Sequence, residues 1–265
     1  MKTVIAIAAH PDDIELMMAG TLLLLKSVGY EIHYLNLSSG NVGSVDYDAE
    51  TTRKMRLKEA QDAASLLGAH FHAPFCDDLE IFYDKKTLRR LASIIRDVRP
   101  SVVLTHSLAD YMEDHTNTCR LAVTAAFARG MPNFVTKPTR DAANYDCTVY
   151  HALPHTLRDQ LRNAIIPGAF VNTTSVQQKK IEALKCHESQ QNWLDLSQKL
   201  NSYLQSMEDI SLKVGSMSKA FLHAEGWRRH LHYGFCGEDA DPLKDLGEDY
   251  LINDTYERNL DKDSK

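Results

Sequence analysis

The chain has 265 residues, of which 43% are hydrophobic and 25% are charged, proportions that are typical of globular proteins. Its 36 acidic side chains outnumber its 30 Lys and Arg, and no basic stripe alternates with aromatics, which argues against a nucleic-acid partner. No apolar segment is long enough to span a bilayer, and the N-terminus lacks a signal-peptide pattern, so we expect a cytoplasmic protein. The five cysteines include no Cys-x-x-Cys pair, which predicts reduced thiols.

The first segment combines a strand, a polar turn and a helix. Residues 4–9 form a short apolar run typical of a buried parallel strand, and His10-Pro11 ends it. From Asp12 onward the apolar residues follow a helical repeat, with Asp12 and Asp13 in the first turn. An imidazole and two carboxylates therefore meet at the carboxyl end of a strand, where open α/β sheets bind ligands. Alternatively, Asp12 only caps the helix and His10 is an ordinary loop histidine.

Strand and helix patterns then alternate along the first half of the chain. The predicted strands are residues 31–37, 69–75 and 101–105, and the predicted helices are residues 51–67 and 86–98. This order requires right-handed crossovers, so we predict an α/β fold, a Rossmann-like three-layer sandwich with a mostly parallel sheet. The glycine-containing loop at residues 38–44 either lines a ligand site or is a flexible turn.

A second polar turn follows the strand at residues 101–105. It carries His106, Asp110, Asp114 and His115, and it leads into another helical pattern. Two strand ends thus each carry His and Asp, which is a common sequence form of a metal site built from separate segments.

The second half of the chain has weaker patterns. We predict strands at residues 147–152 and 170–171, and helices at residues 175–186 and 193–207 that pack on the sheet or on a partner in a homo-oligomer. The length suits a single domain, with a core over about residues 1–175 and a helical C-terminal extension over about residues 175–265. Residues 224–232 contain two arginines, two histidines and a tryptophan, which indicates an anion or substrate clamp or a solvated basic helix face. We expect residues 262–265 to be disordered.

These motifs resemble the LmbE-like, PIG-L type family of zinc-dependent N-deacetylases. Residues 9–13, Ala-His-Pro-Asp-Asp, match the first motif of the family, and Asp114-His115 match the end of its second motif. Between them, residues 56–60 and 67–68 match the family pattern Arg-x-x-Glu-Ala followed by Leu-Gly. The resemblance covers about the first 130 residues, and it implies a Rossmann-like fold and a small-molecule substrate of the N-acetylglucosamine type.

A site for one Zn²⁺ is the hypothesis that follows. His10, Asp13 and His115 would be the ligands, because two histidines and a carboxylate with one open position are typical of catalytic zinc. Zinc lowers the pKa of its water to about 7, and Asp12 would then act as general base and return the proton to the leaving amine. Asp110 and Asp114 are placed to orient a ligand imidazole.

The resemblance also implies substrate-binding residues. The family arginine at the place of Arg56 is thought to reach the ligand, although on spacing alone Arg56 could equally form an exposed helix pair with Glu59. The family often has an aspartate that binds a sugar hydroxyl at the place of Asp77 or Asp78, and we select Asp78.

One residue departs from the family pattern. The second motif is usually His-Pro-Asp-His, and its first histidine is thought to stabilise the oxyanion or act as an acid, but here that position is Met112. His106, His151, His155 and His230 are the available imidazoles, and we rank His151 and His155 first because they follow a predicted strand.

Three alternatives to the deacetylase remain open. A receiver-like domain also has an acidic pair after its first strand, but it has no use for His10 and His115 as a pair. A catalytically silent sugar-binding relative is plausible because of Met112, and a hydrolase of another small-molecule amide would need the same residues.

Overall fold

A computed structural model of the chain describes residues 2–191 and 203–260. Its first five strands are β1 (Thr3–Ala8), β2 (Glu31–Asn36), β3 (His70–His72), β4 (Val102–Thr105) and β5 (Thr148–Ala152). They pair in parallel in the order β3-β2-β1-β4-β5. The predicted parallel α/β core is therefore confirmed.

The helices of the described residues cover both faces of this sheet. They are α1 (Asp13–Met17), α2 (Ala19–Ser27), α3 (Ala49–Leu67), α4 (Lys85–Val98), α5 (Glu113–Phe127), α6 (Gln177–Leu184), α7 (Tyr203–Ser218) and α8 (Asp254–Leu260), with 3-10 helices at Ala128–Gly130, Thr174–Val176 and Pro242–Asp249. The predicted helix after the first turn is interrupted at Met18, where φ is −137°. No helix of the described residues combines the length and the apolar character needed to cross a membrane.

The alternation of β1 divides the core into two clusters. Val4, Ala6 and Ala8 pack with α2, whereas Ile5 and Ile7 pack with buried residues of α4 and α5. Successive side chains of a strand point to opposite faces of its sheet, so each face is covered by its own helical layer. The three-layer sandwich predicted from the sequence follows from this arrangement.

The C-terminal part of the chain completes the sheet. Strands β6 (Ala169–Asn172), β7 (Ala224–Arg229) and β8 (Tyr250–Ile252) extend the order to β5-β7-β6-β8, and all three pairings are antiparallel. The strand predicted at residues 170–171 is therefore present, but two further strands follow it, and the extension after residue 175 contains strands as well as helices.

The interpretation of residues 224–232 as a basic helix face is wrong. Trp227 lies in β7, is 0% exposed, and donates a hydrogen bond from Nε1 to Thr21 Oγ1 at 2.9 Å. Arg228 and Arg229 donate instead to the backbone carbonyls of Ile166 and Ala240. Tertiary packing against α2 decides the strand here, because the segment lacks a clear two-residue alternation. Most of the helix predicted at residues 193–207 lies outside the described residues, as do residues 262–265.

Candidate active site

The two polar turns meet because β1 and β4 are neighbours in the sheet. Ile7 is paired with Thr105, so the chain leaves both strands at the same edge. His106 Nε2 accepts a hydrogen bond from the Ala9 backbone N–H at 2.9 Å, which joins the turns directly. Parallel strands end at the same edge of a sheet, and residues almost 100 positions apart therefore form one site.

His10, Asp13 and His115 form the group best suited to hold a metal ion. One ligand atom from each lies within 4.8 Å of the others, and the imidazole centroids of the two histidines are 5.4 Å apart. His10 Nδ1 is 3.4 Å from Asp13 Oδ2, and His115 Nε2 is 3.4 Å from Asp13 Oδ1. The set contains two imidazoles and one carboxylate, which is a donor set that Zn²⁺ accepts in proteins.

The far side of each imidazole faces a carboxylate. His10 Nε2 is 3.0 Å from Asp114 Oδ2, and His115 Nδ1 is 3.1 Å from Asp110 Oδ1. Neither nitrogen of the buried His115 makes a hydrogen bond of good geometry with a described residue, although carboxylates lie near both. Metal-binding histidines almost always place a carboxylate or carbonyl behind the ring, so the arrangement fits a bound cation.

A second group, made of His106, Asp110 and His115, is equally compact. His106 Nε2 already accepts the Ala9 N–H, however, so that lone pair is engaged. The group that contains His10 is therefore the better metal site.

Burial and neighbouring charges act in opposite directions on the pKa values of this group. Burial acts to lower the pKa of His10 and of His115, but carboxylates outweigh it and raise these pKa values to about 9 and about 10. Asp114 and Asp13 have this effect on His10, and Asp13 and Asp110 on His115. Burial acts to raise the pKa of Asp13, but His115 and His106 hold it well below its usual range. Protons would compete with a cation for these imidazoles, so metal binding should weaken as the pH falls.

Asp12 lies beside this group in an uncommon backbone conformation. Its φ is 106°, in the left-handed region, and it directly precedes α1. Burial raises the pKa of Asp12 to about 6, and the nearby Arg56 guanidinium opposes that rise. A carboxyl with a raised pKa is better matched to proton transfer near neutral pH than an ordinary aspartate. The alternative in which Asp12 serves only as a helix cap receives no support, because its side chain makes no capping hydrogen bond.

A cavity of about 270 Å³ opens in front of these residues. Seven of the ten predicted site residues line it: His10, Asp12, Asp13, Arg56, Asp78, His115 and His155. Asp110 and Asp114 lie behind the imidazoles, as predicted for orienting groups, and His151 is not among the lining residues.

Arg56 is a buried residue of the site and not part of an exposed helix pair. It is 2% exposed, and it donates to the Pro11 carbonyl at 2.6 Å and to the Gly40 carbonyl at 3.3 Å. Glu59 instead accepts hydrogen bonds from Ser189. Gly40 has a φ of 75°, and a Cβ there would lie 2.6 Å from Arg56 Cδ, so glycine allows the guanidinium to pass.

Asp78 orders the loop that follows β2. Its carboxylate accepts hydrogen bonds from Ser38 Oγ at 2.7 Å and from the backbone N–H groups of Gly40 and Val42 at 2.8 and 3.1 Å. Val42 and Gly43 line the cavity, which favours the ligand-site interpretation of this loop. A contact between Asp78 and a sugar hydroxyl stays a prediction.

The two histidines ranked as substitutes for the family histidine have different surroundings. His155 lines the cavity with Met112, and burial lowers its pKa. Its Nε2 has no hydrogen-bond partner within residues 2–191 and 203–260. His151 lies between the His106 carbonyl and His230 Nδ1, each at 2.9 Å, and burial lowers its pKa to about 4. His155 is therefore the better placed of the two.

Sequence reasoning missed three polar residues that line the cavity. Tyr111 and Gln190 line the cavity, and Tyr203 donates a hydrogen bond to Asp12 Oδ2. Tyr111 stands next to Met112 in the second motif and could have been selected on that basis. Nothing in the sequence links Gln190 or Tyr203 to the first turn, because their proximity depends on how the C-terminal half packs.

Fold and site together define an α/β protein with a candidate metal centre at the carboxyl edge of a parallel sheet. A family model described as PIG-L, GlcNAc-PI de-N-acetylase, matches residues 5–127. The chain is also 30% identical over 200 residues to a 4-oxalmesaconate hydratase of Pseudomonas putida, and these aligned residues make up 72% of this chain and 75% of the relative. The chain belongs to the PIG-L, or LmbE-like, family, and the resemblance stated from its motifs is confirmed.

Other relatives agree with this assignment. A diacetylchitobiose deacetylase of Thermococcus kodakarensis is 29% identical over 235 residues, which is 86% of this chain and 83% of the relative. The crystal structure of GalB, the 4-carboxy-2-hydroxymuconate hydratase of Pseudomonas putida KT2440, has a TM-score of 0.73 and 27% identity, with 86% of this chain and 96% of that chain covered. The receiver-like alternative is therefore wrong.

Proposed function

We propose that the chain is a zinc-dependent N-deacetylase of an N-acetylglucosamine-type conjugate. The observation that carries the proposal is that Asp12 and the His10, Asp13 and His115 group face one cavity. The similarity to a diacetylchitobiose deacetylase supports an amino-sugar amide as the substrate class.

The proposed reaction is the hydrolysis of an acetamide. Zn²⁺ bound by His10, Asp13 and His115 would supply Lewis acidity, which polarises a carbonyl and activates water near neutral pH. Asp12 accepts a proton as the water oxygen bonds to the carbonyl carbon, and it returns that proton to the amide nitrogen as the C–N bond breaks. The products are acetate and a free amine.

His155 is the group we assign to the position that Met112 leaves without an imidazole. Its lowered pKa keeps the ring neutral near pH 7, and no other residue in the described part of the chain forms a hydrogen bond with its Nε2. A neutral imidazole with Nε2–H can donate a hydrogen bond to the oxygen on which negative charge develops. Arg56 serves chiefly to hold the loop after β2 and Asp12, because its bonds go to these parts of the chain.

The test measures metal and product in parallel. Zinc-reconstituted protein is incubated with N,N'-diacetylchitobiose, and acetate and free amine are quantified for the wild type and for Asp12→Asn, with zinc content measured on both. His115→Ala should lose stoichiometric zinc, whereas the matched control His70→Ala, an exposed histidine of β3, should retain it. Zinc retained by His115→Ala would contradict the metal site. A wild type that binds zinc but releases no more acetate than Asp12→Asn, from N,N'-diacetylchitobiose and from other N-acetyl amides, would favour a silent sugar-binding protein.

A hydratase is the second candidate. The chain covers 75% of a 4-oxalmesaconate hydratase at 30% identity, and Met112 stands where the deacetylase motif has histidine. Loss of absorbance from 4-carboxy-2-hydroxymuconate, without acetate release from any amide, would replace the deacetylase by this activity.

A further inference from the structure

Tyr203 connects the C-terminal half of the chain to the proposed general base. It is the first described residue of α7, it is 3% exposed, and its hydroxyl donates to Asp12 Oδ2 at 2.5 Å. Burial and the Asp12 carboxylate raise the pKa of Tyr203 well above its usual value, so the hydroxyl stays protonated and can only donate to that oxygen.

A second donor reaches the same oxygen from another helix. Arg56 of α3 places Nη2 3.5 Å from Asp12 Oδ2, and its short bond to the Pro11 carbonyl fixes the guanidinium. Among the described residues, both side-chain interactions of the carboxylate therefore go to Oδ2. Oδ1 is the oxygen that remains for a reacting group in the cavity that Asp12 lines.

The terminal torsion of an aspartate has broad, roughly two-fold preferences, so an unrestrained carboxylate exchanges its two oxygens easily. A base that must meet one water in one geometry loses rate when its orientation is not fixed.

We infer that Tyr203 is a positioning residue, which together with Arg56 holds Oδ2 of Asp12 so that Oδ1 faces the attacking water. The inference rests on the proposed role of Asp12 as general base. Arg56 alone does not replace the hydroxyl, because its nitrogen is farther from Oδ2 and is shared with the Pro11 carbonyl.

The test compares Tyr203→Phe with a matched control. Tyr150→Phe also removes a buried tyrosine hydroxyl that donates to an aspartate, Asp241 at 2.6 Å, and Tyr150 does not line the cavity. Tyr203→Phe should lower kcat by roughly ten- to a hundredfold while KM changes less than twofold and zinc content is unchanged. Tyr150→Phe should leave kcat unchanged. In an Asp12→Asn background, Tyr203→Phe should have no further effect on the residual rate, because it acts through the carboxylate.

A second readout does not depend on turnover. Crystal structures of the two variants should show the Asp12 carboxylate in more than one orientation in Tyr203→Phe and in one orientation in Tyr150→Phe. A kcat for Tyr203→Phe equal to that of Tyr150→Phe, an equal loss in the Asp12→Asn background, or an unmoved Asp12 in both structures would overturn the inference. A wild type that is inactive on every amide would overturn the proposed function instead, and the carboxylate orientation would still decide whether Tyr203 positions Asp12.

Discussion

Replacement of Glu225 by alanine should destabilise the protein severely, because its carboxylate satisfies four buried donors. Oε1 accepts from Gly20 N–H at 2.8 Å and lies 2.9 Å from Lys180 Nζ. Oε2 accepts from Thr21 N–H at 2.8 Å and from Thr21 Oγ1 at 2.7 Å. Strand β7 is thereby attached to the N-terminus of α2, where the helix dipole also favours a negative charge.

The structure gives the size of the effect. Lys180 is 1% exposed, so Glu225→Ala leaves a buried ammonium without its partner, and breaking a buried pair in this way costs about 3–5 kcal/mol. For a chain of this size that corresponds to a fall in Tm of roughly 6–20 °C. Glu225→Gln keeps one acceptor oxygen but turns an amide NH₂ toward a donor, so it should cost less, about 1–3 kcal/mol.

Chemical denaturation monitored by circular dichroism would measure these free energies of unfolding. The control is Asp62→Asn, which removes an exposed helix pair with Lys58 and should cost less than about 0.5 kcal/mol. The double variant Glu225→Ala/Lys180→Met should be more stable than Glu225→Ala alone, because it no longer buries an unpaired charge. A cost below about 1 kcal/mol for Glu225→Ala, or a double variant that is less stable than Glu225→Ala alone, would contradict the role of Glu225 as the buried partner of Lys180.

Three further outcomes are expected. Asp84→Ala should cost about 1 kcal/mol at pH 7, because Asp84 caps α4. Hydrogen bonds from the first turn of the helix lower the pKa of Asp84, so its contribution to stability is complete above its ordinary pKa and is lost as the pH falls through the lowered value. Urea titrations from pH 7 to pH 3 would detect this loss. Gly215→Ala should cost about 1–3 kcal/mol, since a Cβ would lie 2.1 Å from the Leu222 backbone oxygen. Gly237→Ala is its control, because a Cβ there meets no described atom within 4 Å. Thermal melts should show a lower Tm for Gly215→Ala and an unchanged Tm for Gly237→Ala. His155→Ala should lower kcat roughly 100-fold in the acetate assay, and adding Met112→His should restore part of the lost kcat. If kcat does not recover, these two positions do not stabilise the same developing oxyanion.

The sequence could predict the features that are encoded locally. The apolar run at residues 4–9 and the turn after it specify β1 and the position of His10 and Asp13, and the same holds for β4 and the second turn. Adjacency of the two turns then follows from parallel pairing of neighbouring strands. The proximity of His10, Asp13 and His115 was thus predictable because each half of the group lies within one short segment.

Other features depend on contacts between distant segments and left no local signal. The strand β7 contains Glu225 and Gly226, which are both unfavourable in strands, and its conformation depends on bonds to α2 and on its place between β5 and β6. His151 lies inside β5 and does not follow the strand, as the ranking of the histidines had assumed; the register of β5 turns it toward the His106 carbonyl instead of the cavity. Spacing along a chain shows that a residue is near a strand end, but not which way a loop carries its side chain afterwards.

The position of the family match suggests a division of roles within the site. The residues proposed for metal binding and proton transfer, His10, Asp12, Asp13 and His115, all lie within the matched residues 5–127. His155, Gln190 and Tyr203 line the same cavity from beyond that segment. A chain that is similar to both a deacetylase and a hydratase needs residues that choose between substrates without disturbing the shared chemistry. Gln190 is the residue of that wall to which no role in positioning Asp12 or in holding the oxyanion is assigned. We therefore expect substitutions of Gln190 to change KM and substrate preference, whereas substitutions in the two turns should abolish turnover of every substrate.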